Sequence, residues 1–267
     1  MSDFVILTDS SADLGQDLVQ ELDIQVLPLS FLMDETTYRN YPDNREIDPH
    51  YFYDLLRQGK TVITAHSGCE KTEDNSRSHI LAAIASGAEM IEVDVRIADD
   101  GTLYLSHDVP EEISARPTLR ELFELVAPQE NMEMNLDVKT EGLIQPVMAL
   151  AKEFDLAGRI VFTGACNSDR ALANSLGAEM WRSVWDQALL EQGIADNAKD
   201  GSPYLNVHFP MISQKYEDEL RIIGGSFSAW TVNGEENLRR FLEMGIANIT
   251  TRTPVLALKL RNEIQGI

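Results

Sequence analysis

Residues 90–108 read MIEVDVRIADDGTLYLSHD. Ile91, Val93 and Val95 alternate with Glu92, Asp94 and Arg96. Successive strand side chains point to opposite faces, so the aliphatic residues share one face and the charged residues the other. Strand geometry sets same-face neighbours roughly 7 Å apart. The stretch therefore predicts a strand buried on its aliphatic side that aims two carboxylates, Glu92 and Asp94, in one direction.

Outward from this strand, the chain from about residue 61 alternates short apolar runs with helical patterns. Strands are expected at TVITAH, MIEVDVR, MNLDVK, RIVFTG, EMWRSV, PYLNVHF, SFSAWTV and IANITT. Helical spacing lies between most of them, as in SHILAAIASG, TLRELFELV and ENLRRFLEMG, the last with Leu238, Phe241 and Leu242 on one face. Eight strands joined by crossovers predict an α/β fold, a TIM (β/α)₈ barrel over residues 61–267, a length that just meets the lower limit of roughly 200 residues. A doubly wound open sheet fits less well, because no Gly-rich phosphate loop follows a strand. Residues 1–60 read as a small α/β module. Phe4–Leu7 is a strand, Leu14, Leu18 and Leu22 mark a helix, Ile24–Phe31 is a second apolar run, and IDPHYFYDLLRQGK is a helix with Asp48 as cap and Pro49 at its first position.

The chain has 267 residues, 43% hydrophobic and 25% charged, which suits a globular protein with one large domain and a small companion. Its formal net charge of -22 repels nucleic acid and anionic lipid surfaces, so a nucleic-acid partner is not expected. Cys69 and Cys166 stand far apart, which suggests neither a disulfide framework nor a structural zinc site. MSDFVILTDSSADLG fails as a signal peptide and as a membrane span, so a cytoplasmic protein without stable membrane insertion is expected.

Barrels carry their chemistry at the C-terminal ends of the strands. The first barrel strand ends at His66; the second carries Glu92 and Asp94, and a short excursion after it returns at His107. The third puts Asn135, Asp137 and Lys139 on one face. If the third strand neighbours the second, about 4.8 Å away, three acids converge. Desolvation and mutual repulsion then oppose their ionisation, and a hard divalent cation, Mg²⁺ or Ca²⁺, resolves the conflict; the lack of His or Cys in the trio argues against zinc. With Lys139 the formal charges cancel, and an open face remains for an anionic ligand, phosphate first among them.

In this order and spacing, AHSG, EDNS, EVDVR, LSHD, NLDVK and WTVNG resemble the glycerophosphodiester phosphodiesterase family over residues 61 to about 256. The resemblance implies a TIM barrel, a bound divalent cation, and hydrolysis of a glycerophosphodiester to glycerol 3-phosphate and an alcohol. It implies Glu92, Asp94 and Asp137 as metal ligands, His66 and His107 as acid and base, and Lys139 as a phosphate contact, with Trp230 lining the pocket. Three departures stand out. Asp137 replaces the usual Glu, Ser67 replaces the Arg of the family's His-Arg-Gly and could supply one hydrogen bond to the substrate, and the usual insertion after the His-Asp motif is missing.

ILTDSSADL, IQVLPLSFLMDETTYR and DPHYFYDLLRQGK resemble the start of the DegV-like fatty-acid-binding family over about residues 1–60. The Thr-Ser-Gln-Pro-type segment and the second domain of that family are absent, so a complete lipid pocket is not expected; packing on the barrel mouth or on another subunit, as in a homo-oligomer, is. Two readings of the whole stay open. One is a metal-dependent phosphodiesterase with a small-molecule phosphodiester substrate. The other is a catalytically impaired barrel that binds a phosphate- or lipid-like ligand, its N-terminal module acting in oligomerisation. His50 and His79 read as surface or helix residues, and His208 is undecided.

Overall fold

The computed structural model describes residues 6–9, 16–33, 36–39, 60–200, 204–222 and 225–266, and the chain divides into two compact units, Met1–Gln58 and Gly59–Ile267. In the first, β1 (Ile6–Asp9), α1 (Gln16–Glu21) and β2 (Ile24–Leu27) form a βαβ turn with parallel strands, Ile6 opposite Ile24. β3 (Ser30–Met33) and β4 (Thr36–Arg39) pair antiparallel. The apolar run expected over Ile24–Phe31 is thus two strands. Pro28 between them has no N–H to give to a ladder. The helix expected over residues 47–60, with His50, lies outside the described residues.

The second unit runs β5 (Val62–Ala65), α2 (Arg77–Ser86), β6 (Met90–Ile97), β7 (Leu103–Leu105), α3 (Leu119–Val126), β8 (Glu133–Val138), α4 (Ile144–Lys152), β9 (Ile160–Gly164), α5 (Arg170–Ser175), β10 (Glu179–Met180), β11 (Arg182–Val184), α6 (Gln187–Asp200), β12 (Tyr204–His208), α7 (Gln214–Ile222), β13 (Ser226–Trp230), α8 (Glu235–Met244), β14 (Asn248–Thr251) and α9 (Pro254–Gln265). The sheet order is β10-β9-β8-β6-β5-β14-β13-β12-β11, with β7 added antiparallel to β6. Every other pairing in it is parallel. The strand expected at EMWRSV is interrupted at Trp181, whose N–H donates to the Phe162 carbonyl at 3.0 Å. Residues before the interruption pair with β9 and those after it with β12. Taken as one passage, residues 179–184 join the two ends of the sheet into a nearly closed (β/α)₈ barrel, the architecture expected from the alternation.

Strand parity explains why the barrel is apolar outside and polar within. Ile91, Val93 and Val95 of β6, Leu136 and Val138 of β8, and Leu205 and Val207 of β12 face outward and are fully buried beneath the helices. On α3, Leu119, Leu122, Phe123 and Val126 supply the matching stripe, and Thr118 and Glu121 close a capping box at its start. Burying each such side chain contributes about 1.5–3 kcal/mol. The opposite parity fills the lumen in layers. Met90, Val161 and Trp181, with Val62 and Tyr204, plug the N-terminal end. Above them a chain of hydrogen bonds runs from Thr64 to Asn248 (2.6 Å), Asn248 to Ser228 (2.9 Å) and Ser228 to Asn206 (2.9 Å), while Thr163 donates to Asn135 (2.7 Å). These polar groups tolerate burial because they satisfy one another. None of the described helices is long and apolar enough to cross a membrane.

His79, expected as a surface or helix residue, lies on α2 and is completely buried. Both ring nitrogens lack a partner of hydrogen-bonding geometry. Burial, helped by His66 and opposed by the Ala65 carbonyl, pushes its pKa down to about 4. The unfolded chain therefore takes up a proton near pH 6.5 that the folded chain refuses until about pH 4, and stability falls as pH drops through that window. We expect this one residue to remove about 3 kcal/mol between pH 7 and pH 4. Urea unfolding across that range checks it, and His79→Leu should flatten this part of the profile.

Candidate active site

The register of β6 against β8 sets Asp94 beside Asp137 and Glu92 beside Asn135. One carboxylate oxygen from each of Glu92, Asp94 and Asp137 falls within 4.8 Å of the others, so the three acids do converge. Lys139, just past the end of β8, is held by its N–H to the Val95 carbonyl (3.0 Å). Its Nζ lies 2.6 Å from Asp94 Oδ1 and 3.3 Å from Asp137 Oδ1. Asn75 clamps Asp94 from the other side. It donates to Oδ2 at 2.6 Å and accepts the Asp94 N–H at 2.9 Å. Glu92 Oε2 accepts the Ser67 N–H at 3.0 Å.

One ammonium does not balance three carboxylates. Burial, then Asp94 and Asp137, raise the Glu92 pKa well above the ordinary carboxylate range. Burial also raises that of Asp137, with Lys139 pulling the other way. Burial opposes the Lys139 charge, yet Asp137 and Asp94 outweigh it and its pKa is raised. The donor set is all oxygen, converging and short of positive charge, which fits a hard dication.

His66 and His107 reach this cluster from different supports. His66 follows β5, and its Nδ1 lies 2.7 Å from the Ser67 carbonyl. A carbonyl can only accept, so Nδ1 carries the proton and Nε2, 3.9 Å from Glu92 Oε2, is the free nitrogen. Burial lowers the His66 pKa, and the Arg252 charge adds to the effect. His107 is brought back by the β6–β7 hairpin, its carbonyl gripped by Arg96 Nε and Nη2 at 3.0 and 2.6 Å. Its ring is exposed, 3.1 Å from Asp108. Trp230 ends β13 and packs against His208 with ring centroids 5.3 Å apart.

These groups line a cavity of about 570 Å³ at the C-terminal ends of the strands, together with Asp74, Thr163, Trp185 and Arg252. Ser67 is not among the lining residues. It is buried, and its hydroxyl accepts the Asn75 N–H at 2.9 Å, so it supports the turn rather than facing a ligand. The sequence reading missed Asp74 and Arg252. Arg252 Nη1 and Nη2 donate to the two Asp74 oxygens at 3.0 and 2.7 Å. A signal for Arg252 was present in strand parity, since Asn248, Thr250 and Arg252 follow one another at alternate positions of the last strand and its exit.

A putative glycerophosphoryl diester phosphodiesterase from Agrobacterium tumefaciens superposes with a TM-score of 0.68 at 20% identity, covering 78% of this chain and 99% of that one. The barrel has the glycerophosphodiester phosphodiesterase fold. A phosphodiesterase from Oleispira antarctica, solved with the product sn-glycerol-3-phosphate, gives a TM-score of 0.61 at 19% identity over 75% of this chain and 96% of its own. In sequence, a glycerophosphodiester phosphodiesterase from Bacillus altitudinis is 23% identical over 246 residues, which is 77% of this chain and all of that protein. The family model described as "Uncharacterised protein, DegV family" matches residues 3–74, so the N-terminal segment is DegV-like, and the match runs past Gln58 into the turn after β5.

Gly68 makes the site's arrangement possible. Its φ of +76° lies in the left-handed region, and a Cβ there would sit 2.0 Å from Asp74 Oδ1 and 3.0 Å from Arg252 Nη1. We expect Gly68→Ala to cost about 1–2 kcal/mol from the backbone alone and to dislodge the Asp74–Arg252 pair, read out by urea unfolding and by chemical shifts of the arginine side chain.

Proposed function

We propose that the chain is a metal-dependent phosphodiesterase that hydrolyses glycerophosphodiesters to glycerol 3-phosphate and an alcohol. The observation that carries this reading is the convergence of the Glu92, Asp94 and Asp137 carboxylates within 4.8 Å at the mouth of a barrel, in a cavity that His66 and His107 also line. The likeness to phosphodiesterases, one of them solved with sn-glycerol-3-phosphate, supports it.

Glu92, Asp94 and Asp137 would hold the cation, of the Mg²⁺ or Ca²⁺ kind. Such an ion, when bound, neutralises the charge that builds on the phosphoryl oxygens. Lys139 stays beside Asp94 and Asp137, adding a second positive charge on the same side. His66, neutral at pH 7 because burial lowers its pKa, takes a proton at Nε2 from the water whose oxygen bonds to phosphorus. His107, whose ring is exposed, delivers one to the departing alcohol oxygen as its bond to phosphorus breaks. The Ser67 carbonyl fixes the His66 tautomer, and Arg96 fixes the backbone of His107. Trp230 offers an apolar wall to the glycerol or alcohol moiety.

Residues 1–58 we read as a separate DegV-like domain acting in self-association, supported by the exposure of Leu22, Leu27 and Leu29 within it. Sedimentation of the full chain and of a chain without them checks this; equal oligomeric states would remove it.

Turnover of glycerophosphocholine with Mg²⁺, Ca²⁺ or Mn²⁺ tests the enzymatic reading. His66→Ala should lower kcat by about 10²–10⁴-fold, and Glu92→Gln should weaken cation uptake in a calorimetric titration. No metal-dependent release from the wild type in any combination would leave only a binding role.

A further inference from the structure

The cavity is lined by four carboxylates, Asp74, Glu92, Asp94 and Asp137, and by two cations, Lys139 and Arg252. A phosphodiester brings further negative charge into it and needs donors that are still available. Lys139 has little to offer, because its ammonium is shared between Asp94 at 2.6 Å and Asp137 at 3.3 Å. Arg252 is placed differently. A guanidinium has five N–H donors in one plane. Asp74 takes one from each Nη in an end-on fork. That leaves the Nε edge and the outer Nη hydrogens, which meet no partner among the described residues.

Its mounting is firm. The Arg252 N–H donates to Asn233 Oδ1 at 3.0 Å, its carbonyl accepts the Glu70 N–H at 2.9 Å, and the preceding Thr251 carbonyl accepts the His66 N–H at 2.8 Å. The strand ends bearing Arg252 and His66 are therefore bonded neighbours, and both side chains open on the same cavity. Gly68, with no side chain, leaves the room in which the Asp74–Arg252 pair lies. Ser67, by contrast, spends its hydroxyl on Asn75.

We propose that Arg252 anchors the substrate phosphate, gripping non-bridging oxygens through its free edge while Asp74 holds the fork in place. The guanidinium absent at position 67 is thereby supplied from the far end of the barrel sequence, and the half-exposed pair is a preset receptor. The inference rests on the phosphodiesterase reading for its substrate, though not for the anion-binding chemistry itself.

The test uses the full chain with Mg²⁺, titrated calorimetrically with glycerol 3-phosphate and with inorganic phosphate, beside KM and kcat on glycerophosphocholine from the same preparations. Arg252→Gln is expected to weaken both ligands by about ten- to a hundredfold, the range for hydrogen bonds to a charged group, and to raise KM more than it lowers kcat. Arg252→Lys, which keeps the charge without the fork, should recover part of the loss and decides the matter if the glutamine variant fails to fold. Asp74→Asn loosens the fork but keeps the guanidinium, and should lose clearly less phosphate affinity than Arg252→Gln. Wild-type affinity in both Arg252 variants overturns the anchor, as does an Asp74→Asn loss equal to that of Arg252→Gln, which would mark the pair as a tie between loops. A wild type that binds phosphate through Arg252 yet hydrolyses nothing overturns the hydrolase reading alone. Wild-type KM and kcat in both Arg252 variants overturn the anchor alone.

Discussion

The repulsion among Glu92, Asp94 and Asp137 is the constraint around which the barrel mouth is organised. Burial and the neighbouring acids raise the cost of ionising Glu92 and Asp137, and the surroundings answer with positive charge and donors. Lys139 bridges two of them, Asn75 clamps a third oxygen, and the Ser67 amide serves Glu92. Ser67 and Asn75 come from the connection after β5 and Lys139 from the exit of β8, so the cluster ties together that connection, the strand β6 and the exit of β8. Charge balance at the mouth thus fixes loop geometry as well as ligand preference.

The same polarity runs down the lumen. Because helices cover the outer face, the barrel obtains its hydrophobic stabilisation between sheet and helices, and the interior is free to carry asparagine, threonine and serine. Only the lowest layer, around Met90, Val161 and Trp181, is apolar. The polar layer above it supports the acids from below with groups already paired.

Much of this was legible in the sequence, and for a physical reason. Period-two alternation in MIEVDVR and MNLDVK marks both the buried face and the acidic one, so the strands, the barrel class and the convergence of Glu92, Asp94 and Asp137 follow from local pattern together with one assumption about neighbours. What stayed hidden is long-range or patternless. Asp74 and Arg252 meet across 178 positions, and no local rule pairs them. His79 lies on a helix whose alanines give no direction to either face, so its burial could not be read. The interruption at Trp181 carries no local signal, because EMWRSV contains neither Gly nor Pro.

That interruption has a mechanical meaning. Glu179 and Met180 ladder to one neighbour and Arg182 to Val184 to the other, whereas β6 and β8 are laddered from Met90 to Val95. The ring therefore has a break in the strand at residues 179–184, two places along the sheet from β8. The wall that carries the three acids is thus laced without a gap along its length, and the discontinuity of the hoop falls in another strand.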